Sequence, residues 1–322
     1  MDRDRFDPEV YKFYRTGLEK TGFTVNFTEE DLPKIREDEI KRHAWNTQAY
    51  EVHEKIDAVI KRDDAEALPV RIYVPESAAA SETPVPVILY FHGGGYIMGS
   101  IEDHDPVCGK LADACGSVVM AIEYRLAPEY PFPACIEDAV CAAEWAVSHA
   151  AEYGGDPDRL MAGGDSSGAN ISAVLALLAR DGQAPKITYL ILFYGTYGCI
   201  DLSDSVSAKL YGQGDFVLPL STMDIMMDMY VPEGTDPDDI RLNPGRAEDL
   251  SNMPPSVIVS AELDPLRDDG EEFARRLSES GNDVTAIRMS GMMHGFIVYW
   301  QKFSRAEKLM DRIGELVRQN AF

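Results

Sequence analysis

Gly164-Asp165-Ser166-Ser167-Gly168 places a serine between two glycines, directly after the short apolar run Arg159–Ala162 and before the helical stretch Gly168–Arg180. G-x-S-x-G between a strand and a helix predicts a nucleophile elbow, a tight turn that lifts a serine hydroxyl above the sheet. Small neighbours are needed there because the backbone passes close to the adjoining strand and helix, and Gly164 and Gly168 supply them. The helix N-terminus then faces the hydroxyl, and its dipole favours a developing negative charge.

A serine hydroxyl becomes a nucleophile when a base takes its proton. In hydrolases built on this turn, the acid and then the histidine follow the serine along the chain. Of His43, His53, His92, His104, His149 and His294, only His294 comes after Ser166. It sits in Gly291-Met292-Met293-His294-Gly295, just beyond the predicted strand Val284–Met289. The acid should lie between the two. One carboxylate cluster there follows a clear apolar strand, Glu262-Leu263-Asp264-Pro265-Leu266-Arg267-Asp268-Asp269 after Ser256–Ser260. Asp264 is the choice and Glu262 the alternative; Pro265 and Leu266 open the next helix, whose first turn suits Asp268 and Asp269. The acid's task is to orient the imidazole and stabilise its cation. An oxyanion also needs donors. His92-Gly93-Gly94-Gly95-Tyr96 follows the strand Val85–Phe91, and glycines let backbone N–H groups approach a substrate oxygen. The expected donors are the amides of Gly93, Gly94 and Ser167, with His92 bracing the loop.

The elements that must position these residues are legible in the same pattern. Strands are expected at Val70–Val74, Val85–Phe91, Val118–Glu123, Arg159–Ala162, Ile187–Phe193, Ser256–Ser260 and Val284–Met289. Helices are expected near Asp105–Ala114, Ala134–Tyr153, Gly168–Arg180, Arg267–Ser280 and Phe303–Arg318. Continuously apolar strands alternating with helices predict an α/β fold with a mostly parallel central sheet and helices on both faces. Sites in such sheets gather beyond the carboxyl ends of the strands. Residues 201–241 break the alternation and hold a helix, Ser221–Tyr230, with four methionines at 223, 226, 227 and 229.

The whole chain of 322 residues suits one such domain. Its 55 acidic and 30 basic residues give a formal charge of -25, a surface that repels nucleic acid and anionic membrane. No apolar run reaches the ~18 residues of a membrane span. The charged start, Met1–Glu9, does not read as a leader. Five cysteines, Cys108, Cys115, Cys135, Cys141 and Cys199, make no C-x-x-C pair, so neither a disulfide framework nor a zinc site is expected. A reducing cytoplasm is the expected compartment.

Taken together, HGGGY at 92–96, EYRLAPEYPFPA at 123–134, GGDSSGAN at 163–170, DPLRDDG at 264–270 and HGF at 294–296 resemble the bacterial hormone-sensitive-lipase-like esterases of the α/β-hydrolase fold. The likeness runs from about Val85 to Phe296, with the five segments in the family's order. It implies a serine carboxylesterase acting on short- to medium-chain acyl esters without cofactor or metal. Ser166 would be the nucleophile, Asp264 the acid, His294 the base, and Gly93, Gly94 and Ser167 the oxyanion donors. It also implies a cap made from residues 1 to about 48 and about 201 to 241, and a homodimer joined near the strand Val284–Met289. The chain departs from the family in having Ser167 where alanine is usual, which could change acyl-pocket polarity, and Ala169 where glycine is usual. Two alternatives remain open at this point: an amidase or deacetylase using the same triad, and a catalytically silent ligand-binding protein such as the gibberellin receptors, which lack the histidine that is present here.

Overall fold

The computed structural model describes residues 5–21, 27–62, 66–214 and 218–320. The elements, in chain order, are helices α1 (Pro8–Thr21) and α2 (Leu32–Asn46), strands β1 (Glu54–Ile60) and β2 (Leu68–Val74), the short helix α3 (Glu76–Ala79), β3 (Val85–Phe91), α4 (Ile101–Cys115), β4 (Val118–Ile122), α5 (Ala134–His149), β5 (Gly155–Asp165), α6 (Ser167–Arg180), β6 (Leu190–Phe193), α7 (Val206–Tyr211), α8 (Leu220–Tyr230), β7 (Ser256–Leu263), α9 (Arg267–Glu279), β8 (Val284–Met293) and α10 (Ser304–Asn320). The strands form one sheet in the order β1-β2-β4-β3-β5-β6-β7-β8. β2 runs antiparallel to β1 and β4, and every pairing from β4 to β8 is parallel.

The parallel strands are buried on both faces, as their unbroken apolar sequences require. All seven residues of β3, Val-Pro-Val-Ile-Leu-Tyr-Phe, are buried. Val87, Leu89 and Phe91 point into a core shared with α5, α6 and α9, while Ile88 and Tyr90 point into a second core with α4 and α10. Each fully buried aliphatic side chain contributes about 1.5–3 kcal/mol.

Element boundaries differ from the sequence expectations for local reasons. The sequence pattern does not predict β1, because most of Glu-Lys-Ile-Asp-Ala-Val-Ile is solvent-facing; it is an edge strand with little apolar signal. β5 extends well beyond Arg159–Ala162 at both ends, and β8 continues to Met293. β6 is shorter than Ile187–Phe193, starting only at Leu190. α4 starts at Ile101 rather than Asp105, because Ser100 caps it through a bond from the Asp103 amide at 3.2 Å.

Residues expected to form a cap meet the carboxyl-end loops. Arg36 of α2 donates to the Ile97 and Ala127 carbonyls at 2.8 and 2.9 Å and pairs with Glu129. Tyr230 of α8 stacks on Tyr96, with ring centroids 3.9 Å apart. Residues 1–4, 22–26 and 215–217 of these two segments lie outside the described residues.

Candidate active site

Ser166 stands at the junction of β5 and α6 with φ 53° and ψ -120°. Non-glycine residues seldom adopt positive φ, and such strain is concentrated at functional sites. The turn is held by the Ser166 amide, which donates to the Phe193 carbonyl at 2.9 Å. The flanking glycines are sterically required. A Cβ on Gly164 would stand 2.3 Å from the Phe91 carbonyl oxygen, and one on Gly168 would stand 1.9 Å from it. Ala169, where the family usually has glycine, finds its room across the interface: a Cβ on Gly195 would come within 2.8 Å of the alanine methyl.

Three distant segments converge on this turn. His294 Nε2 lies 2.9 Å from Ser166 Oγ, and His294 Nδ1 lies 2.8 Å from Asp264 Oδ2. The other Asp264 oxygen accepts the Leu266 amide at 2.9 Å, so the fully buried carboxylate has one oxygen fixed by backbone and one turned to the imidazole. Glu262 does something else. It accepts the Gly291 amide at 2.8 Å and so anchors the end of β8 that leads into His294. The Asp7 amide bonds the Gly291 carbonyl at 3.1 Å, the Tyr14 hydroxyl approaches the His294 carbonyl at 3.4 Å, and the Tyr194 ring lies edge-on to the imidazole at 4.9 Å.

The glycine loop corrects one expectation. The Gly93 amide donates to Asp165 Oδ1 at 3.0 Å, so it is occupied and cannot also face a substrate oxygen. Past Gly93 the chain enters three consecutive positive-φ residues, Gly94 at 125°, Gly95 at 62° and Tyr96 at 65°. The amides of Gly94, Gly95 and Ser167 have no acceptor among the described residues. Gly95 belonged to the motif, but sequence could not show that the loop's first amide is used internally. Ser167 is 2% exposed, and its hydroxyl sits by the Tyr124 phenol.

The loop is buttressed by the segment that follows β4 and by His92 itself. Tyr124 donates to the His92 carbonyl at 2.8 Å and stacks on the His92 ring at 4.2 Å, and the Ala127 amide bonds the Tyr96 carbonyl at 2.9 Å. Thus the EYRLAPE segment supports the glycine loop from below. His92 Nδ1 lies 2.8 Å from the Gly93 carbonyl, as a brace would. Burial, reinforced by the nearby charge of His104, pushes the His92 imidazole down to about 4. Burial alone would push His104 down too, but the Asp165 carboxylate outweighs it and the imidazole is pushed up to about 9. In turn, burial would raise the Asp165 carboxyl, yet His104 holds it below the ordinary carboxylate value.

Among the described residues, no group of three or more His, Cys, Asp or Glu side chains is arranged to hold a metal ion. None of the described helices is long and apolar enough to cross a membrane.

A family model described as the alpha/beta hydrolase fold matches residues 88–298. Carboxylesterase NlhH of Mycobacterium tuberculosis is 40% identical over 236 residues, covering 71% of each chain. An arylesterase of Saccharolobus solfataricus is 36% identical over 297 residues, 90% of this chain and 92% of its own. Among solved structures, a hyperthermophilic esterase from the archaeon Pyrobaculum calidifontis superposes with a TM-score of 0.89 at 30% identity, covering 98% of both chains.

Proposed function

Since the chain belongs to the alpha/beta-hydrolase-fold family, among the hormone-sensitive-lipase-like esterases, and is a carboxylic ester hydrolase, we propose that it cleaves short- to medium-chain acyl esters through Ser166, His294 and Asp264. The observation that carries this reading is the continuous contact from Asp264 through His294 to Ser166, at 2.8 and 2.9 Å, on a strained turn beside unengaged amides. His294 Nε2 takes the Ser166 proton as Oγ attacks the ester carbonyl. The amides of Gly94, Gly95 and Ser167 receive the oxyanion; losing one such donor typically costs about 3 kcal/mol of barrier. His294 then protonates the departing alcohol, leaving an acyl-enzyme. Water gives up a proton to His294, attacks the acyl carbonyl and releases the acid, restoring Ser166. Asp264 keeps the imidazole proton on Nδ1 and stabilises the cation formed at each step.

A preference for small acyl groups is supported by the nearness of α8. A Cβ on Gly95 would fall 2.4 Å from the Met226 sulfur, so a cap helix lies directly against the oxyanion loop. We read α1, α2, α7 and α8 as that cap. Phenylmethylsulfonyl fluoride should inactivate the enzyme with one adduct, mapped by peptide mass spectrometry to Ser166; an adduct elsewhere, with Ser166 unmodified, refutes the assignment. Comparing a p-nitrophenyl ester with the matching p-nitroanilide separates esterase from amidase preference. β8 lies at the edge of the sheet, and we propose that two copies pair there; a monomeric mass by light scattering would refute the dimer.

A further inference from the structure

A second aspartate–histidine pair lies beneath this site and takes no part in the proton transfers above. Asp165 immediately precedes Ser166, is 2% exposed, and gathers several donors on its carboxylate. Its Oδ1 accepts the Gly93 amide at 3.0 Å and the Tyr90 hydroxyl at 2.9 Å, and it lies 3.1 Å from His104 Nε2. The Tyr194 hydroxyl reaches Oδ2 at 3.4 Å.

His104 closes a circuit. It sits in the first turns of α4, buried, with Nδ1 3.2 Å from the carbonyl of Ser100, the residue that caps that helix. Residues 93–100 run from the first glycine of the motif to the start of α4. Its first amide is bound to Asp165, and its last carbonyl meets the imidazole that is itself held by Asp165. Both ends of the loop are therefore tied to the residue adjoining the nucleophile. His104 Nδ1 lies 3.2 Å from a carbonyl and Nε2 lies 3.1 Å from a carboxylate, surroundings that favour the charged ring. Between the two ties, the chain must hold three successive positive-φ residues, one of them Tyr96, a conformation that persists only when its surroundings over-determine it.

We propose that Asp165 and His104 are a positioning pair that holds the 93–100 loop in register with Ser166, fixing the aim of the Gly94 and Gly95 amides at the oxyanion. The inference rests on the serine-esterase reading above. Its effect falls on the transition state, because the amides are aimed at a charge absent from the bound ester.

The test uses the full-length enzyme with Asp165→Asn, His104→Gln, Ser166→Ala and, as a remote destabilised control, Ile60→Ala on the buried end of edge strand β1. For each, kcat and KM on p-nitrophenyl butyrate are measured beside the rate of Ser166 modification by a p-nitrophenyl alkylphosphonate and the thermal midpoint. Asp165→Asn is expected to lower kcat by about tenfold or more with KM within about threefold, and to slow phosphonylation in parallel. His104→Gln, which keeps one donor, should give the same pattern in weaker form. Ile60→Ala should lower the midpoint and leave kcat in place. The proposal is overturned if both pair variants keep kcat within about twofold, or if their loss is entirely in KM. Should Asp165→Asn not fold, His104→Gln decides by the same criterion. If Ser166→Ala itself retained turnover, the esterase mechanism would fail independently of the pair.

Discussion

Asp264→Asn isolates the acid's role with a side chain of nearly unchanged shape. In the wild type, one carboxylate oxygen accepts the Leu266 amide at 2.9 Å and the other faces His294 Nδ1 at 2.8 Å, with no solvent access. An asparagine must choose. If its oxygen stays on the Leu266 amide, its NH2 points at Nδ1, which must then be the unprotonated nitrogen. The ring proton moves to Nε2 and faces Ser166 Oγ, so the base has no lone pair for the serine. If the amide flips, the productive tautomer is kept but two N–H groups oppose each other at Leu266, which costs about 1–3 kcal/mol in a buried setting. The productive form is then roughly a fifth to below a hundredth of the population. Loss of the negative charge beside the imidazolium adds to this, and a comparable substitution in another serine hydrolase lowers kcat by about 10⁴. We therefore expect a kcat reduction of about 10³–10⁴ on p-nitrophenyl butyrate, with a folded protein by circular dichroism. Glu262→Gln is the paired comparison, since glutamine can still accept the Gly291 amide; it should change kcat by less than about fivefold. The reasoning is refuted if Asp264→Asn retains kcat within about tenfold, or if Glu262→Gln is the more damaging change.

Further outcomes follow from the buried cluster and the elbow. His104, raised to about 9 in the fold, contributes stability that is fully present below the unfolded value of ~6.5 and is lost as pH rises through about 9. His92, lowered to about 4, acts oppositely: its contribution is present above ~6.5 and is lost as pH falls toward about 4. Urea unfolding between pH 4 and 10 should thus show decline on both sides of neutrality, and His104→Gln should flatten the alkaline side; an unchanged alkaline slope in that variant contradicts the assignment. Gly168→Ala would put a methyl 1.9 Å from the Phe91 carbonyl oxygen, so the elbow must deform; we expect loss of most turnover together with a lowered thermal midpoint, whereas a fully active, equally stable variant would show the packing to be wrong. Ser167→Ala should keep kcat within about threefold, because the donor at this position is the backbone amide; a loss approaching that of a missing oxyanion donor would place the hydroxyl in the chemistry.

Residues whose constraint is local could be read directly from sequence. Gly164 and Gly168 announce a crowded turn, β3 and β7 announce buried strands, and His294 is the single histidine downstream of Ser166. What was not legible depends on contacts between segments far apart in the chain. The Gly93 amide reads as available in sequence, but Asp165, 72 residues on, engages it in the fold. Glu262 lies at the end of β7 and Asp264 just past it, and only the fold shows that one meets a backbone amide and the other the imidazole. Arg36 and His104 carry no spacing signal, because each acts on a carbonyl or carboxylate supplied by another element. β1 is not legible in sequence because an edge strand with an exposed face lacks the apolar run that marks its neighbours.

The most direct measurement is a set of initial rates on p-nitrophenyl esters from acetate to palmitate, wild type beside Ser166→Ala. The account predicts turnover that peaks at short to medium chains and vanishes to background in the alanine variant. Persistent turnover without the Ser166 hydroxyl would contradict the nucleophile assignment, and turnover confined to long chains would contradict the reading of a cap closed over a small acyl site.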